Sequence, residues 1–494
     1  MRNEITKAEI ISSLLWKVME IMGAKGIQFV VLIVLARMLL PKDFGLIVLV
    51  TIFIMIASVI VQCGFNTALI QKKNVDEVDF SSVFYLNLFV ASILYVMLFF
   101  SAPAIAIFFE ETQLVTILRI LALTLFLGAI NSIQNAVIAR NMQFKKQFFS
   151  SVGAVLVSGI VGITLAYHNF GVWALIVQQL TNQFLITLIL WFTVKWKPRM
   201  LFSFKRLRDL FSFGWKILLS SLIDVIYTNI SGIIIGKIYS PRLLGFYSRG
   251  EQFPSFIVSN INGSIQSVML PALSSHQEDR QKVKEMVRRS IVTSTFIVFP
   301  MMIGLAVIAE PLVKILLTEK WLSTVPFIQI FCAVYALWPI HTANLQAINA
   351  LGRSDIFLKL EIVKKLIGLT ILGISLPFGI YMITFGLFVS GVFSTFVNAY
   401  PNLKLLNYSF QEQWKDIMPS LLLSLVMGFV VYNIKWIGIT DTVTISVQIV
   451  VGIVVYVGLA KIFKLECFTY LLLTMNEMWR NRKGKDFTLK ESID

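Results

Sequence analysis

Fourteen long apolar runs constrain this 494-residue chain more than any other feature. A helix that spans a bilayer needs about 20 mostly apolar residues, and these runs are bounded by charge, Pro or Gly. Only 14% of the residues are charged, against about 25% in an ordinary soluble protein. The sequence therefore predicts an all-α polytopic membrane protein with about 14 transmembrane helices, at approximately 12–37, 45–65, 81–106, 114–138, 149–167, 172–194, 213–238, 251–272, 290–309, 322–349, 357–376, 380–400, 417–434 and 443–461.

The distribution of Lys and Arg predicts the orientation of these spans. Basic residues concentrate in the cytoplasmic loops of membrane proteins. With the N-terminus in the cytoplasm, the outer segments carry only seven of the 43 basic residues, and the C-terminus is also cytoplasmic. The net charge of +16 then reflects this bias and contact with anionic membrane lipids, so we expect no nucleic acid partner. The outer basic residues are Arg37, Lys42, Arg242, Arg249, Lys314, Lys320 and Lys435.

Two parts of the chain resemble each other at an offset of about 200 residues. The segment LARMLLPKDFGL, residues 35–46, aligns with IGKIYSPRLLGF, residues 235–246. Further matches follow in the same order along the chain, which indicates duplication of one unit. The matched pairs include Lys17 with Lys216, Pro41 with Pro241, Gly45 with Gly245, Pro103 with Pro311 and Phe170 with Phe378.

Each repeat contains six predicted spans. An even number of spans returns the chain to its starting side, so the halves are related by an axis along the membrane normal. The predicted organisation is an N-terminal six-helix lobe (1–194), a cytoplasmic amphipathic linker (195–212), a C-terminal six-helix lobe (213–400), two further helices (401–463) and a cytoplasmic tail (464–494). The linker is expected to lie on the membrane surface, with one face formed by Phe204, Leu207, Leu210 and Phe211.

Charged residues inside the predicted spans need a physical reason, because a charge at the bilayer centre costs at least roughly 2.5–3.5 kcal/mol on insertion scales. We predict a cationic substrate-binding cavity that uses Lys17 and Lys25 of the first span and Lys216 of the seventh. For Lys17 and Lys216 the alternative is that the ammonium groups reach the inner headgroups. Glu20 follows Lys17 by three residues, a spacing at which helical side chains can form an ion pair. Asp224 has no such local partner. These two acids are the candidates for coupling to a proton or sodium ion.

Polar residues on the eighth and tenth spans could bind sugar hydroxyls, although such residues also join membrane helices. The cysteines and histidines are too scattered to indicate a disulfide, metal or redox cluster. The sequence contains neither a catalytic motif nor a long aqueous loop. We therefore expect no catalytic residue, no metal and no cofactor. The polar residues of the two spans are Ser259, Asn260, Asn262, Ser264, Gln266, His341, Asn344, Gln346 and Asn349.

Several segments resemble the bacterial polysaccharide flippases of the colanic-acid-exporter type, in the multidrug/oligosaccharidyl-lipid/polysaccharide exporter superfamily. The resemblance extends in order from about residue 10 to about residue 420. The segments are LARMLLPKDFGLIVLV, GFNTALIQKK, NFGVWALIVQQL, KPRMLFSFKRLRDLFSFG, GFYSRGEQF, MLPALSSHQED, EKWLSTVPF and LGRSD.

The resemblance implies two six-helix lobes followed by two helices, in the bacterial cytoplasmic (inner) membrane. The implied activity moves an undecaprenyl-diphosphate-linked oligosaccharide to the outer leaflet for exopolysaccharide, capsule or O-antigen export, alongside the glycan polymerase and glycosyltransferases of the pathway. Related flippases place cations on their first, second and eighth helices. Lys17 and Lys25 fit that pattern, whereas the second span has no charge and the eighth offers only Arg249 and Glu251. We therefore expect Lys216 to take part.

Three alternatives stay open at this point. A drug exporter of the same superfamily would favour acidic residues in its cavity for cationic substrates, whereas this chain offers mostly Lys. A membrane enzyme that acts on lipid-linked sugars would need an acid and a base in an aqueous loop. A membrane scaffold would not need charges inside its spans.

Overall fold

The chain folds into helices that follow the predicted spans. The computed structural model describes residues 7–72, 74–438 and 440–473. Residues 474–494 of the predicted tail (464–494) therefore lie outside the described residues. Short 3-10 helices at Glu319–Thr324, Leu376–Phe378 and Ile434–Ile437 accompany the α-helices. The α-helices are α1 (Lys7–Met38), α2 (Pro41–Gln62), α3 (Phe65–Gln71), α4 (Glu77–Phe109), α5 (Gln113–Leu121), α6 (Thr124–Arg140), α7 (Phe144–Tyr167), α8 (Val172–Thr193), α9 (Phe204–Ile238), α10 (Pro241–Ser274), α11 (Arg280–Leu316), α12 (Val325–Ala336), α13 (Trp338–Ala350), α14 (Ser354–Ser375), α15 (Ile380–Leu406), α16 (Phe410–Asn433) and α17 (Asp441–Ile462).

Twelve helical segments of the described chain are long and apolar enough to cross a membrane. They correspond to twelve of the fourteen predicted spans. The other two predicted spans lie on α10 and α14, which are 34 and 22 residues long but more polar. In α10 the polarity comes from Ser, Asn and Gln, and in α14 from charged residues near its first turns. The prediction of an all-α polytopic membrane protein is confirmed.

Helix boundaries recur in the two halves of the chain. Both α2 and α10 begin at a proline, Pro41 and Pro241, and the preceding helices end three residues earlier in each case. The fourth predicted span of each repeat is broken in the middle, into α5 and α6 in the first half and into α12 and α13 in the second. A periodicity of apolar residues does not reveal such a break, because the apolar run continues through it. The shared break supports the duplication inferred from the sequence.

The repeat-matched starts of α2 and α10 lie against each other. A Cβ atom built on Gly45 would lie 1.7 Å from the Pro241 carbonyl oxygen, and one built on Gly245 would lie 2.0 Å from the Pro41 carbonyl oxygen. Each glycine therefore leaves the space that the other repeat's proline backbone occupies. Further along, a Cβ on Gly236 of α9 would come within 2.4 Å of the Leu49 side chain of α2. Glycine is required where backbones approach this closely.

Helix α9 begins inside the segment that the sequence assigns to a separate linker. It runs without interruption from Phe204 to Ile238, so residues 204–212 form its first turns. Leu207 and Leu210 are buried in a cluster with residues of α3, α4, α6 and α8. Phe204 and Phe211 are exposed at 76% and 45%, so the four residues do not bury one common face. The first turns of α9 are held by the protein through two leucines.

By contacts the chain divides into two compact units, Met1–Ser248 and Arg249–Asp494. In the first unit α1 packs mainly on α7, which in turn packs on α8, and α9 packs on α2, α3 and α4. In the second unit α11 packs on α12, α13, α16 and α17, and α15 packs on α12, α13 and α14. The lobe boundaries predicted from the repeat rest on sequence matching and stay a prediction.

Arg119 supports a proline-containing helix of the first unit. Proline has no N–H, so the carbonyl four residues before it loses its helical donor. For Pro103 in α4 this carbonyl belongs to Phe99, and the Arg119 Nε atom donates to it at 3.2 Å. The guanidinium also lies 4.0 Å from the centre of the Phe99 ring. The role of this membrane-embedded arginine is therefore structural.

Tyr456 performs the same task in the second unit. Pro300 in α11 deprives the Phe296 carbonyl of its helical donor, and the Tyr456 hydroxyl of α17 donates to that oxygen at 2.8 Å. The two rings also pack with their centres 5.1 Å apart. An unpaired backbone carbonyl is costly in an apolar environment, so this bond ties α17 to α11.

We expect Gly45→Ala to destabilise the protein by about 2 kcal/mol or more, because the new methyl group would overlap the Pro241 backbone. Gly26→Ala in α1 is the matched control, since nothing lies within 4 Å of a Cβ built there and alanine favours a helix over glycine. The thermal unfolding midpoint of the purified protein in detergent should fall for Gly45→Ala and stay or rise for Gly26→Ala. Equal midpoints for the two variants would contradict the close contact.

We expect Tyr456→Phe to lower the free energy of unfolding by about 1–3 kcal/mol, because the Phe296 carbonyl is left without a donor. The control is Tyr432→Phe, whose side chain is 49% exposed. Thermal unfolding in detergent is again the measurement. A Tyr456→Phe variant as stable as the Tyr432→Phe variant would show that the hydroxyl does not support the Pro300 carbonyl.

Candidate functional site

Lys17 and Glu20 form an ion pair where α1 packs on α7. The Lys17 Nζ atom lies 2.8 Å from Glu20 Oε2 and donates to the Gln147 side-chain oxygen at 3.2 Å. The Ser151 hydroxyl of α7 donates to the other Glu20 oxygen at 3.2 Å. Two of the five predicted site residues are thus brought together, and each balances the charge of the other. The sequence spacing predicted this pair, but not its two partners on α7.

Aromatic residues surround the same part of α1. Trp16 lies between Phe148 and Phe149, with ring centres 5.3 Å and 5.8 Å away. The Lys145 ammonium group lies 5.5 Å from the centre of the Trp16 ring. Tryptophan rings are enriched at membrane–water interfaces because they are part apolar and part polar. This arrangement is typical of a helix end at the edge of the bilayer, and it fixes α1 against α7.

Lys25 and Lys216 lie apart from the Lys17–Glu20 pair. Both side chains are exposed, and within the described part of the chain neither ammonium group has a hydrogen bond or an ion pair. Lys25 is eight residues beyond Lys17, so it lies about 12 Å further along α1. Asp224 is also exposed, on α9. The structure therefore joins Lys17 to Glu20 and leaves the other three residues at the surfaces of α1 and α9.

The repeat relates Lys25 to Asp224. The offset of 199 residues that aligns Lys17 with Lys216 also aligns Lys25 with Asp224. At the position nearer the helix start, both repeats carry a lysine. At the deeper position, the first repeat carries a cation and the second an anion. The duplicated helices therefore differ in charge at this second position.

The start of α9, and with it Lys216, is anchored to α4 outside the membrane-spanning segments. Asp76 caps α4 by accepting from the Asp79 backbone N–H at 3.0 Å, and it pairs with Arg206 at 3.1 Å. The Asp79 N–H and the Arg206 guanidinium hold the pKa of Asp76 below its usual value. Lys72 pairs with the buried Asp79 at 2.8 Å. These contacts fix the first turns of α9.

Two of the four polar residues on the tenth predicted span, His341 and Asn344, bond to other helices. Asn344 of α13 donates to the Gln413 side chain at 3.0 Å and accepts from Asn402 at 2.7 Å. The His341 ring lies 3.0 Å from the Asn398 side-chain nitrogen. These residues therefore join α13 to α15 and α16, which was the alternative to binding sugar. On α10, Asn260 donates to a carbonyl of its own helix at 2.7 Å.

The sequence of this helical chain matches a known protein family. Residues 34–326 match the family described as polysaccharide biosynthesis protein. The chain belongs to this family. The sequence resemblance to polysaccharide flippases is confirmed, and so is the prediction of a multi-pass membrane protein with polysaccharide biosynthesis relatives.

Two curated relatives of this family member cover most of the chain. This chain is 24% identical to the teichuronic acid biosynthesis protein TuaB of Bacillus subtilis (strain 168), over 97% of this chain and 99% of the relative. It is 22% identical to the lipopolysaccharide biosynthesis protein WzxC of Escherichia coli (strain K12), over 86% and 88% respectively. Among solved structures, the lipid II flippase MurJ in an inward closed conformation aligns with a TM-score of 0.74 and 16% identity, over 91% of this chain and 98% of that one. That likeness shows the fold.

We expect a double-mutant cycle on Lys17→Met and Glu20→Gln to give a coupling energy of about 0.5–1 kcal/mol, because the pair is partly exposed to solvent. The measurement is the free energy of unfolding of the two single variants and the double variant in detergent. A coupling energy near zero would mean that the two residues do not stabilise each other.

Proposed function

We propose that this protein is a flippase that moves an undecaprenyl-diphosphate-linked oligosaccharide from the inner to the outer leaflet of the bacterial cytoplasmic membrane by alternating access. Membership of the polysaccharide biosynthesis family supports the substrate class. The fold likeness to a lipid II flippase supports a transport mechanism. Export of capsule, exopolysaccharide or O-antigen, and cooperation with the polymerase and glycosyltransferases of one pathway, belong to the same proposal.

The observation that carries the proposal is the unequal pairing of three lysines. The Lys17 charge is balanced by Glu20 at 2.8 Å, whereas Lys25 and Lys216 have no acid partner within the described residues. A bare ion placed in hydrocarbon costs tens of kcal/mol by Born estimates, so a diphosphate needs cations to cross. Lysine provides a point charge suited to phosphate. Lys25 and Lys216 are therefore the proposed anion-binding pair, and Lys17 makes a smaller contribution.

The membrane potential would supply part of the driving force. Moving one elementary charge across the membrane is worth about 2.3 kcal/mol per 100 mV. A diphosphate with two negative charges is therefore driven outward by an inside-negative potential, with a gain of roughly 4–5 kcal/mol per 100 mV. The cationic residues would lower the barrier, while the polyprenyl tail remains in lipid.

We expect the Lys25→Ala/Lys216→Ala variant to lose about tenfold or more of the rate of leaflet transfer, because two phosphate-binding charges are removed. The assay uses a fluorescent undecaprenyl-diphosphate oligosaccharide in proteoliposomes. Lys359→Ala on α14 is the control, since Lys359 is another exposed lysine. Lys17→Ala should lose less activity than the double variant.

Each outcome separates the alternatives. Full activity of the Lys25→Ala/Lys216→Ala variant would keep the flippase and reject this anion-binding pair. No transfer by the wild type with a range of glycans, together with efflux of a cationic drug, would favour the exporter alternative. Bond formation on the lipid-linked sugar by the purified protein would establish the enzyme alternative.

A further inference from the structure

Glu251 lies further into a helix than the sequence indicates. The predicted span begins at residue 251, whereas α10 begins ten residues earlier, at Pro241. At 1.5 Å per residue, Glu251 lies about 15 Å from the start of α10. The hydrocarbon core is about 30 Å thick. The sequence predicts that α10 crosses this core, and an unexplained acid within such a span is a functional candidate.

The hydrogen-bond partner of Glu251 is a neutral side chain. The Tyr335 hydroxyl of α12 donates to Glu251 Oε1 at 2.9 Å. The Tyr335 ring is buried and lies 4.6 Å from the centre of the Trp338 ring. Within the described residues Glu251 forms no ion pair and has no further interaction. The carboxyl group is therefore positioned by a phenol and is not neutralised by a cation.

The close approach of α10 and α12 fixes this geometry. A Cβ built on Gly250 would lie 2.4 Å from Phe327 Cβ, so the residue beside Glu251 must be glycine for the two helices to meet. Phe327 is itself held by Tyr381 of α15, with stacked rings whose centres are 4.9 Å apart. The Glu251–Tyr335 pair is thus built into a packed junction of three helices.

The other titratable groups on these elements are directed elsewhere. Arg249 is two residues before Glu251, a spacing that puts side chains on different faces of a helix, and its guanidinium donates to Gln252. On α12, Cys332 is buried and lines an apolar cavity with residues of α11, α15 and α16. On α13, His341 pairs with Asn398 of α15. Tyr335 is therefore the hydrogen-bond partner of Glu251 at this junction.

Glu251 differs in this respect from the two acids that the sequence selected for ion coupling. Glu20 is paired with a cation, Lys17, at 2.8 Å. Asp224 is exposed on α9. Glu251 is half-buried and has a partner that can donate to the anion or accept from the acid.

We propose that Glu251 is a proton-binding carboxyl group that couples proton movement to the transport cycle. Coupling to transport rests on the proposed flippase function, whereas proton binding at Glu251 does not. In one conformation the carboxylate takes one proton from water on one side of the membrane and becomes the neutral acid. In the other conformation the acid returns that proton to water on the opposite side. Tyr335 stays protonated and holds the carboxyl group in both forms.

The first experiment detects the proton without any transport. An acid-minus-alkaline infrared difference spectrum of the full chain in lipid should contain the C=O band of a protonated carboxylic acid. We expect that band to disappear in Glu251→Gln and to remain in Asp224→Asn, and we expect Tyr335→Phe to shift its frequency because a hydrogen bond is lost. A band unchanged in Glu251→Gln would overturn the proposal, and so would a band lost only in Asp224→Asn.

The second experiment tests the coupling. Leaflet transfer is measured in proteoliposomes with a pH gradient, while the voltage is clamped with potassium and valinomycin. We expect the gradient to change the wild-type rate about tenfold, and we expect Glu251→Gln to transfer at a rate that does not respond to pH but still responds to voltage. Glu251→Asp should retain the response. A gradient response that survives in Glu251→Gln, or one that requires sodium, would overturn the coupling. Absence of wild-type transfer would reject the flippase and leave the infrared result to decide on Glu251.

Discussion

The need to satisfy every backbone polar group in hydrocarbon underlies the rest of this structure. Lipid offers no substitute for a missing hydrogen bond, so spanning segments are helices that satisfy themselves. Pro103 in α4 and Pro300 in α11 break that rule locally, and for each of these two a side chain from another helix supplies the missing donor. Arg119 and Tyr456 therefore form part of the backbone hydrogen bonding of α4 and α11. They replace the backbone donors that Pro103 and Pro300 remove.

Much of the fold could be predicted from the sequence, because apolar length and the distribution of basic residues act on each segment separately. All fourteen predicted spans fall on helices. The break between α12 and α13 and the early start of α10 could not be predicted, since α10 is too polar at its start to register as an apolar run. Pairing within one helix was visible for Lys17 and Glu20. The bonds of Glu20 to Ser151, and of Glu251 to Tyr335, join residues 131 and 84 positions apart, and no local spacing indicates them.

The charges inside the spans fall into two physical groups. In the first group each charge has a neighbour that makes it inexpensive to bury, as in the Lys17–Glu20 pair and the Arg119 contact with Phe99. In the second group the charge has no neutralising partner among the described residues. Lys25 and Lys216 belong there as cations, and Glu251 as an acid whose phenol partner supports two protonation states. Under the proposed flippase function, the first group holds the helices, and the second would interact with the substrate or the coupling ion.

The mutual contact of Pro41, Gly45, Pro241 and Gly245 also bears on the history of the chain. After a duplication, the two copies are free to drift apart wherever each packs against its own surroundings. Here the two copies pack against each other. A residue larger than glycine in either copy would overlap the proline backbone of the other copy. This is also where the internal sequence match is easiest to read, in LARMLLPKDFGL and IGKIYSPRLLGF. The two repeats are therefore most similar in sequence at the place where they contact each other.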